Sequence, residues 1–355
     1  MDEAWQFIDE ASALAARVGD SIVDARVLTA RASGHRFCGE YEAASATARR
    51  ALPATRGGSA WGVADLLAGL VSTELTLGRL SAIDELLPEL EAAARRAGHH
   101  GALWVHDLFQ HMTTLSRTGH LRAFLGEVKN LLDGSGLRLI TSSVVAAASL
   151  HLGAVDDALE HTAAAIAKQP TDHWLKGLPE GNHFAAMALA GRPDAAGLMP
   201  AVLPWLPVAG RRNVEGAYFA LETLVTGLAA MGDRERLAGL YPLTLAYVQT
   251  GRVNTSVVVG PGSPQLAAAQ AADAAGLVDQ AREHFEIALR QAREVPVRIL
   301  QPTVLYWYGR ALSAGADTVE RARGRGMVEA ALTDFRALEM VLHANLAEQF
   351  LRDGR

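Results

Sequence analysis

Small and apolar residues recur along this chain at intervals of four and three, each run behind a glycine. The clearest case is Gly153–Pro170, GAVDDALEHTAAAIAKQP. Gly153 ends one segment. Ala158, Thr162 and Ala165 then fall on one face of a helix, and Pro170 stops it. Similar units follow Gly39 (Ala44, Ala48, Ala51) and Gly276 (Ala281, Phe285, Ala288), and Ala196 follows Gly191 at the same offset of five. With Gly78, Gly119, Gly232 and Gly315, these glycines lie about 34 to 44 residues apart, the period of helical-hairpin repeats. A small residue five after the glycine lets two helices approach. Gly78 and Gly232 carry Ile83 and Leu237 there, which predicts wider pairs.

The unit resembles the tetratricopeptide repeat, most directly in Gly153–Pro170 and Gly276–Ala288. That resemblance implies an all-α fold, a right-handed α-solenoid of about eight hairpins. The expected division is an N-terminal helix over 1–20, a half repeat or cap, then repeats over 21–340 and a capping helix over 341–355. The β-branched run Val257–Val259 is too short to predict a strand.

Prolines modify the pattern. Pro88 and Pro242 fall ten residues after Gly78 and Gly232 and predict kinks in the second helices. Pro200, Pro204 and Pro207 predict a short or broken helix after Gly191. At the N-terminus, Ala4, Phe7, Ile8, Ala11 and Leu14 form the expected packing face. That leaves Trp5 in water unless another helix precedes it, and predicts self-association through this end.

The C-terminal part carries a second resemblance. HFEIALRQA (His284–Ala292), the run Gln301–Leu312, ERARGRGMVEAAL (Glu320–Leu332) and FRALEM (Phe335–Met340) look like the repeat tail of large bacterial regulators. In those proteins a class III adenylate/guanylate cyclase or LuxR-type domain is joined to an AAA/STAND ATPase and a helical tail. The likeness covers about Val208–Leu351 and implies a regulatory tail without chemistry of its own.

Composition narrows the reading. Half of the 355 residues are hydrophobic and only 6% aromatic, a balance for close-packed helices rather than sheet. The net charge of −6 offers no basic footprint for nucleic acid. No run approaches the roughly eighteen apolar residues of a membrane span. Cys38 stands alone, which excludes an intrachain disulfide and suits a reducing cytoplasm. None of the lysines, Lys129, Lys168 and Lys176, follows a glycine, so the sequence holds no Walker A phosphate loop.

Candidate chemistry is sparse, and no catalytic residue, cofactor or metal is expected. His99, His100, His106, His111 and His120 cluster without the spacing of a metal site. Glu180 and His183 form a single Glu-x-x-His where di-iron bundles use two. The turn Val259–Ser263 suits loop geometry, with Pro264 in a helix's first turn. Arg321, Arg323 and Arg325 alternate with acids as a solvated face. Tyr306, Trp307 and Tyr308 point to different faces of one helix and are the candidate recognition surface, on a first helix that lines the concave side. Two function classes remain. One is a non-catalytic scaffold or sensor for a protein, peptide or small-molecule effector. The other is an α/α-barrel enzyme with an acidic cleft, disfavoured because Asp156, Asp157, Asp279, Glu283 and Glu286 read as exposed faces.

Overall fold

The computed structural model describes residues 2–132, 138–168, 174–253, 262–295 and 297–353. Among them every regular element is helical. A lead helix α1 (Asp2–Val18) precedes hairpins α2 (Ser21–Phe37)–α3 (Tyr41–Arg56), α4 (Ala60–Thr76)–α5 (Leu80–Ala97), α6 (His100–Thr118)–α7 (Leu121–Leu132) and α8 (Arg138–His151)–α9 (Val155–Ala167). Next comes α10 (Leu178–Leu189), whose partner is broken into a 3-10 turn, the short α11 (Met199–Val202) and a second 3-10 turn. The series ends with α12 (Glu215–Met231), α13 (Arg234–Gly239) and α14 (Tyr241–Val248), then α15 (Pro264–Ala274)–α16 (Val278–Glu294), α17 (Leu300–Ser313)–α18 (Thr318–Ala337) and α19 (Val341–Asp353). This is an α-solenoid of stacked hairpins. Pro170 and Val257–Val259 lie outside the described residues.

The glycine-and-alanine pattern holds at most of the turns. Seven of the eight turn glycines take positive φ, from 65° at Gly191 to 82° at Gly153, where a Cβ would be strained. Ala158, Thr162 and Ala165 are buried, as are Ala281, Phe285 and Ala288. Ile83 and Leu237 occupy the same buried position at their turns. Side-chain capping fixes several starts: the Asp20 carboxylate accepts from the Ile22 N–H at 2.7 Å, and Asp317 from Val319 at 2.7 Å.

Four details differ from the sequence reading. Gly315 is not left-handed. Its hairpin is drawn together elsewhere, where a Cβ on Gly324 would stand 2.5 Å from the Gly309 carbonyl oxygen. After Gly191 the buried residue is Ala195 and Ala196 is exposed, because a 3-10 turn shifts the register. Pro242 opens α14 after a break at Leu240 rather than bending one continuous helix, while Pro88 lies inside α5. The fourth concerns α1. Trp5 is buried, and its indole N–H donates to the Cys38 Sγ at 3.5 Å. Gly34 makes room for the ring, with only 3.3 Å between its virtual Cβ and the indole. A large ring with a polar tip outweighs the smaller apolar residues, so the helix turns Trp5 and Ala15 inward. Phe7, Leu14 and Val18 are left exposed, and this row, not Trp5, is the apolar surface of the N-terminal end.

The two halves of the solenoid stack on one another. The turn at Gly39 rests on Tyr218 and Thr250. The next turn receives a backbone bond from the Val253 N–H to the Thr76 carbonyl at 2.9 Å, and Val295 covers Gly78. The third receives one from Arg298 to Ser116 at 2.9 Å, and Leu338 covers Gly119. The fourth, at Gly153, meets Val341. Each step advances by one hairpin, which is a superhelix laying its second turn on its first. A closed ring would set the last hairpin against the first instead. Arg212–Glu40 and Arg122–Glu339 ion pairs, each at 3.2 Å, cross the same seam.

His151 of α8 and His343 of α19 meet inside the seam, with ring centroids 5.1 Å apart and both residues buried. Burial holds both imidazoles below their usual range, His343 at about 4. Such a pair binds fewer protons folded than unfolded. Stability is therefore expected to fall as the pH drops through the ordinary value of 6.5 towards about 4. Thermal denaturation across that range checks this, and His343→Leu should flatten the profile. A second expectation concerns glycines. Gly324→Ala should cost about 1–3 kcal/mol by overpacking against the Gly309 carbonyl. Gly326→Ala, where a Cβ meets nothing within 4 Å, should stabilise by about 0.5–1 kcal/mol through helix propensity. Denaturant midpoints of the two variants separate the effects.

Candidate functional site

The first helices of the early hairpins, α2, α4, α6 and α8, turn one face towards a common hollow of about 380 Å³, which α12 and Arg252 close from the second turn. That volume is in the range of small-molecule pockets. Its walls are mostly apolar and aromatic, including Phe37, Trp104, Phe109, Trp174 and Phe219. A second hollow of about 340 Å³, between α2 and the start of α4, shares Ser33 and Asp65 with it. The two form one trough. At its rim Trp61 is exposed and stacks on His99, ring centroids 3.9 Å apart.

The polar groups gather at one side. Glu215 and Arg252 form a buried ion pair, and Tyr41 donates to the same carboxylate oxygen at 2.7 Å. The Arg252 guanidinium also donates to the Tyr41 hydroxyl. Burial alone works against the Arg252 charge. Tyr41, Glu215 and Tyr247 around it outweigh that and raise its pKa. Burial likewise pushes the Tyr41 and Tyr247 phenols well above their usual range. Tyr247 donates to Glu222 at 2.5 Å, so a series of buried polar groups ties α3, α12, α14 and Arg252 together beneath the cavity.

Arg36 differs from Arg252. Its guanidinium lies 4.3 Å from the centre of the Phe37 ring and 5.0 Å from that of Trp174. Its Nε has no hydrogen-bond partner among the described residues. Burial depresses its pKa, partly offset by Glu215, Tyr41 and Asp65.

The residues singled out in the sequence lie elsewhere. Tyr306 and Tyr308 are each 2% exposed, in the core, so neither offers a recognition surface; the rings pack on Phe335 and Phe285 respectively. Trp307 is half-buried, with Arg310 over its ring at 4.8 Å. His99 caps α6 by accepting from the Ala102 N–H at 3.2 Å, and His106 bonds Asp107 at 2.8 Å. His183 bonds the Thr162 hydroxyl at 2.7 Å, apart from Glu180. Among the described residues no group of three His, Cys, Asp or Glu could hold a metal. Arg321 donates to the carbonyls of Gly315 and Ala316, while Arg323 and Arg325 pair with Glu320 and Glu329. Ser263 caps α15 and Pro264 opens it. Asp156, Asp157, Asp279, Glu283 and Glu286 are exposed on second helices and do not converge. No described helix is long and apolar enough to cross a membrane.

The sequence matches no family model, and no curated protein matches it. Among solved structures it is similar to a crystal structure of a Rap protein complexed with competence and sporulation factor. The TM-score is 0.47 at 11% identity, over 93% of this chain and 97% of that one. A likeness this distant says nothing about a shared ligand.

Removing one partner of the buried pair leaves an uncompensated charge. Arg252→Met and Glu215→Gln are each expected to lower stability by about 3–5 kcal/mol. Chemical denaturation of both variants and of the double variant measures the coupling, and the double variant should recover part of the loss.

Proposed function

We propose that this protein is a non-catalytic helical-repeat scaffold that recognises a peptide, protein segment or small-molecule effector in its concave cavity. In this reading it is the sensor segment of a bacterial signalling or transcriptional regulator. The observation that carries it is the trough itself. It is apolar, partly preformed and built from the inner helices of successive hairpins and from both superhelical turns. Aromatic walls supply contact area with little conformational entropy to lose. The acids singled out in the sequence are exposed on second helices. Of the two that line the cavity, Glu215 is engaged by Arg252 while Asp65 stands at the exposed side, which favours recognition over the α/α-barrel enzyme. The regulatory context rests on the sequence resemblance over Val208–Leu351.

Gly69 lines the cavity on α4, and a Cβ built there meets nothing within 4 Å. Gly69→Trp should therefore fill the hollow without a clash at the backbone. The wild type, exposed to a synthetic library of short peptides and examined by native mass spectrometry, should retain a subset, and Gly69→Trp should lose it. Identical retention by the two proteins would contradict this role.

A further inference from the structure

We propose that the cavity selects ligands bearing one carboxylate on an aromatic or branched apolar body, with Arg36 as the partner of the anion. The inference rests on the recognition role above and adds the chemistry of the ligand.

The first observation is an imbalance of hydrogen-bond donors. Among the described residues, the buried side-chain N–H groups of arginine and tryptophan without an acceptor are Arg36 Nε, Trp104 Nε1 and Arg252 Nε. All three residues line this one cavity. A tryptophan or guanidinium N–H can only donate, and leaving it unpaired in the interior costs free energy. A ligand that brings an acceptor to these groups as it packs into the wall would relieve that cost.

The second observation is charge. Arg252 is already neutralised by Glu215. Arg36 has no ion-pair partner at salt-bridge distance among the described residues. Its guanidinium lies near the Phe37 and Trp174 rings, with Glu215 and Asp65 acting on it only at longer range. The two rings confine the guanidinium, a group that can grip a carboxylate with two parallel N–H bonds. The other acid at the cavity, Asp65, is exposed and belongs to both hollows. It opposes a second negative charge on the ligand, which disfavours phosphates and polyanions.

The third observation is shape. Phe37, Trp104, Phe109, Trp174 and Phe219 surround a space of about 380 Å³, enough for an aromatic or branched residue and its carboxylate but not for a folded segment. The same chemistry is found in a free aromatic acid and in the C-terminal residue of a peptide.

The test titrates the whole 355-residue chain with phenylacetate, phenylacetamide, and an acetylated tripeptide ending in phenylalanine as free acid and as amide. Calorimetry and the shift in melting temperature are the readouts. At least one acid should bind about ten- to a hundredfold more tightly than its amide. Arg36→Gln should erase that difference, and Arg36→Lys should retain part of it. Binding of the peptide acid alone would identify a peptide carboxyl terminus as the source, and binding of phenylacetate alone a small molecule. If Arg36→Gln does not fold, the acid–amide comparison in the wild type decides. Equal affinity for acid and amide, an unchanged Arg36→Gln, or no binding of either acid up to millimolar concentration would overturn the inference. If the amide peptide then still binds and Gly69→Trp abolishes it, the recognition role survives without anion selection. If Gly69→Trp changes nothing either, the role falls with it.

Discussion

The structure depends on how closely one superhelical turn can be laid on the next. The contact is made by the tight turns of the early hairpins, and these turns are glycines held at positive φ. A Cβ on Gly119 would stand 2.5 Å from Leu338, and one on Gly78 would stand 2.8 Å from Val295. The conformational and packing demands coincide on the same atoms. A glycine that reverses the backbone at one level also seats the backbone of the next. The backbone bonds to Thr76 and Ser116, and the buried His151–His343 contact, are possible only at that separation.

The cavity follows from the same stacking. Neither turn of the solenoid closes it alone. The early hairpins supply the inner helices, and α12 with Arg252 supplies the remaining wall. The buried series from Tyr41 through Glu215 and Arg252 joins the two just beneath. The site is thus a product of superhelical geometry rather than of a local motif, and its chemistry is assembled from residues far apart in sequence.

That origin explains what could be read in advance. The hairpins were legible because their signals are local. A left-handed glycine and a row such as Ala158, Thr162 and Ala165 need only the helical period. The Gly309–Gly324 contact was hidden, because the two glycines lie in the interiors of different helices. The inward turn of Trp5 depended on Gly34 and Cys38, and the shift from Ala196 to Ala195 on a 3-10 turn. Tyr306 and Tyr308 drew attention as an aromatic cluster but are core. The cavity residues Arg36, Trp104, Trp174 and Arg252 leave no spacing to detect. One trace was visible: Glu215 and Glu222 stand seven apart in the otherwise apolar α12, a placement that requires buried partners.

A cavity walled by two successive coils of a solenoid has a mechanical meaning. Repeat arrays transmit strain only between neighbours along the sequence. This one has an additional cross-tie wherever coil rests on coil. In the proposed reading, a body lodged between Arg36 on one coil and Phe219 on the other would add a further tie. Such a tie would resist a change of pitch, so that an occupied coil would be stiffer than an empty one. Whatever is joined to the ends would then sense occupancy as a change in elasticity, without any need for the hairpins themselves to rearrange.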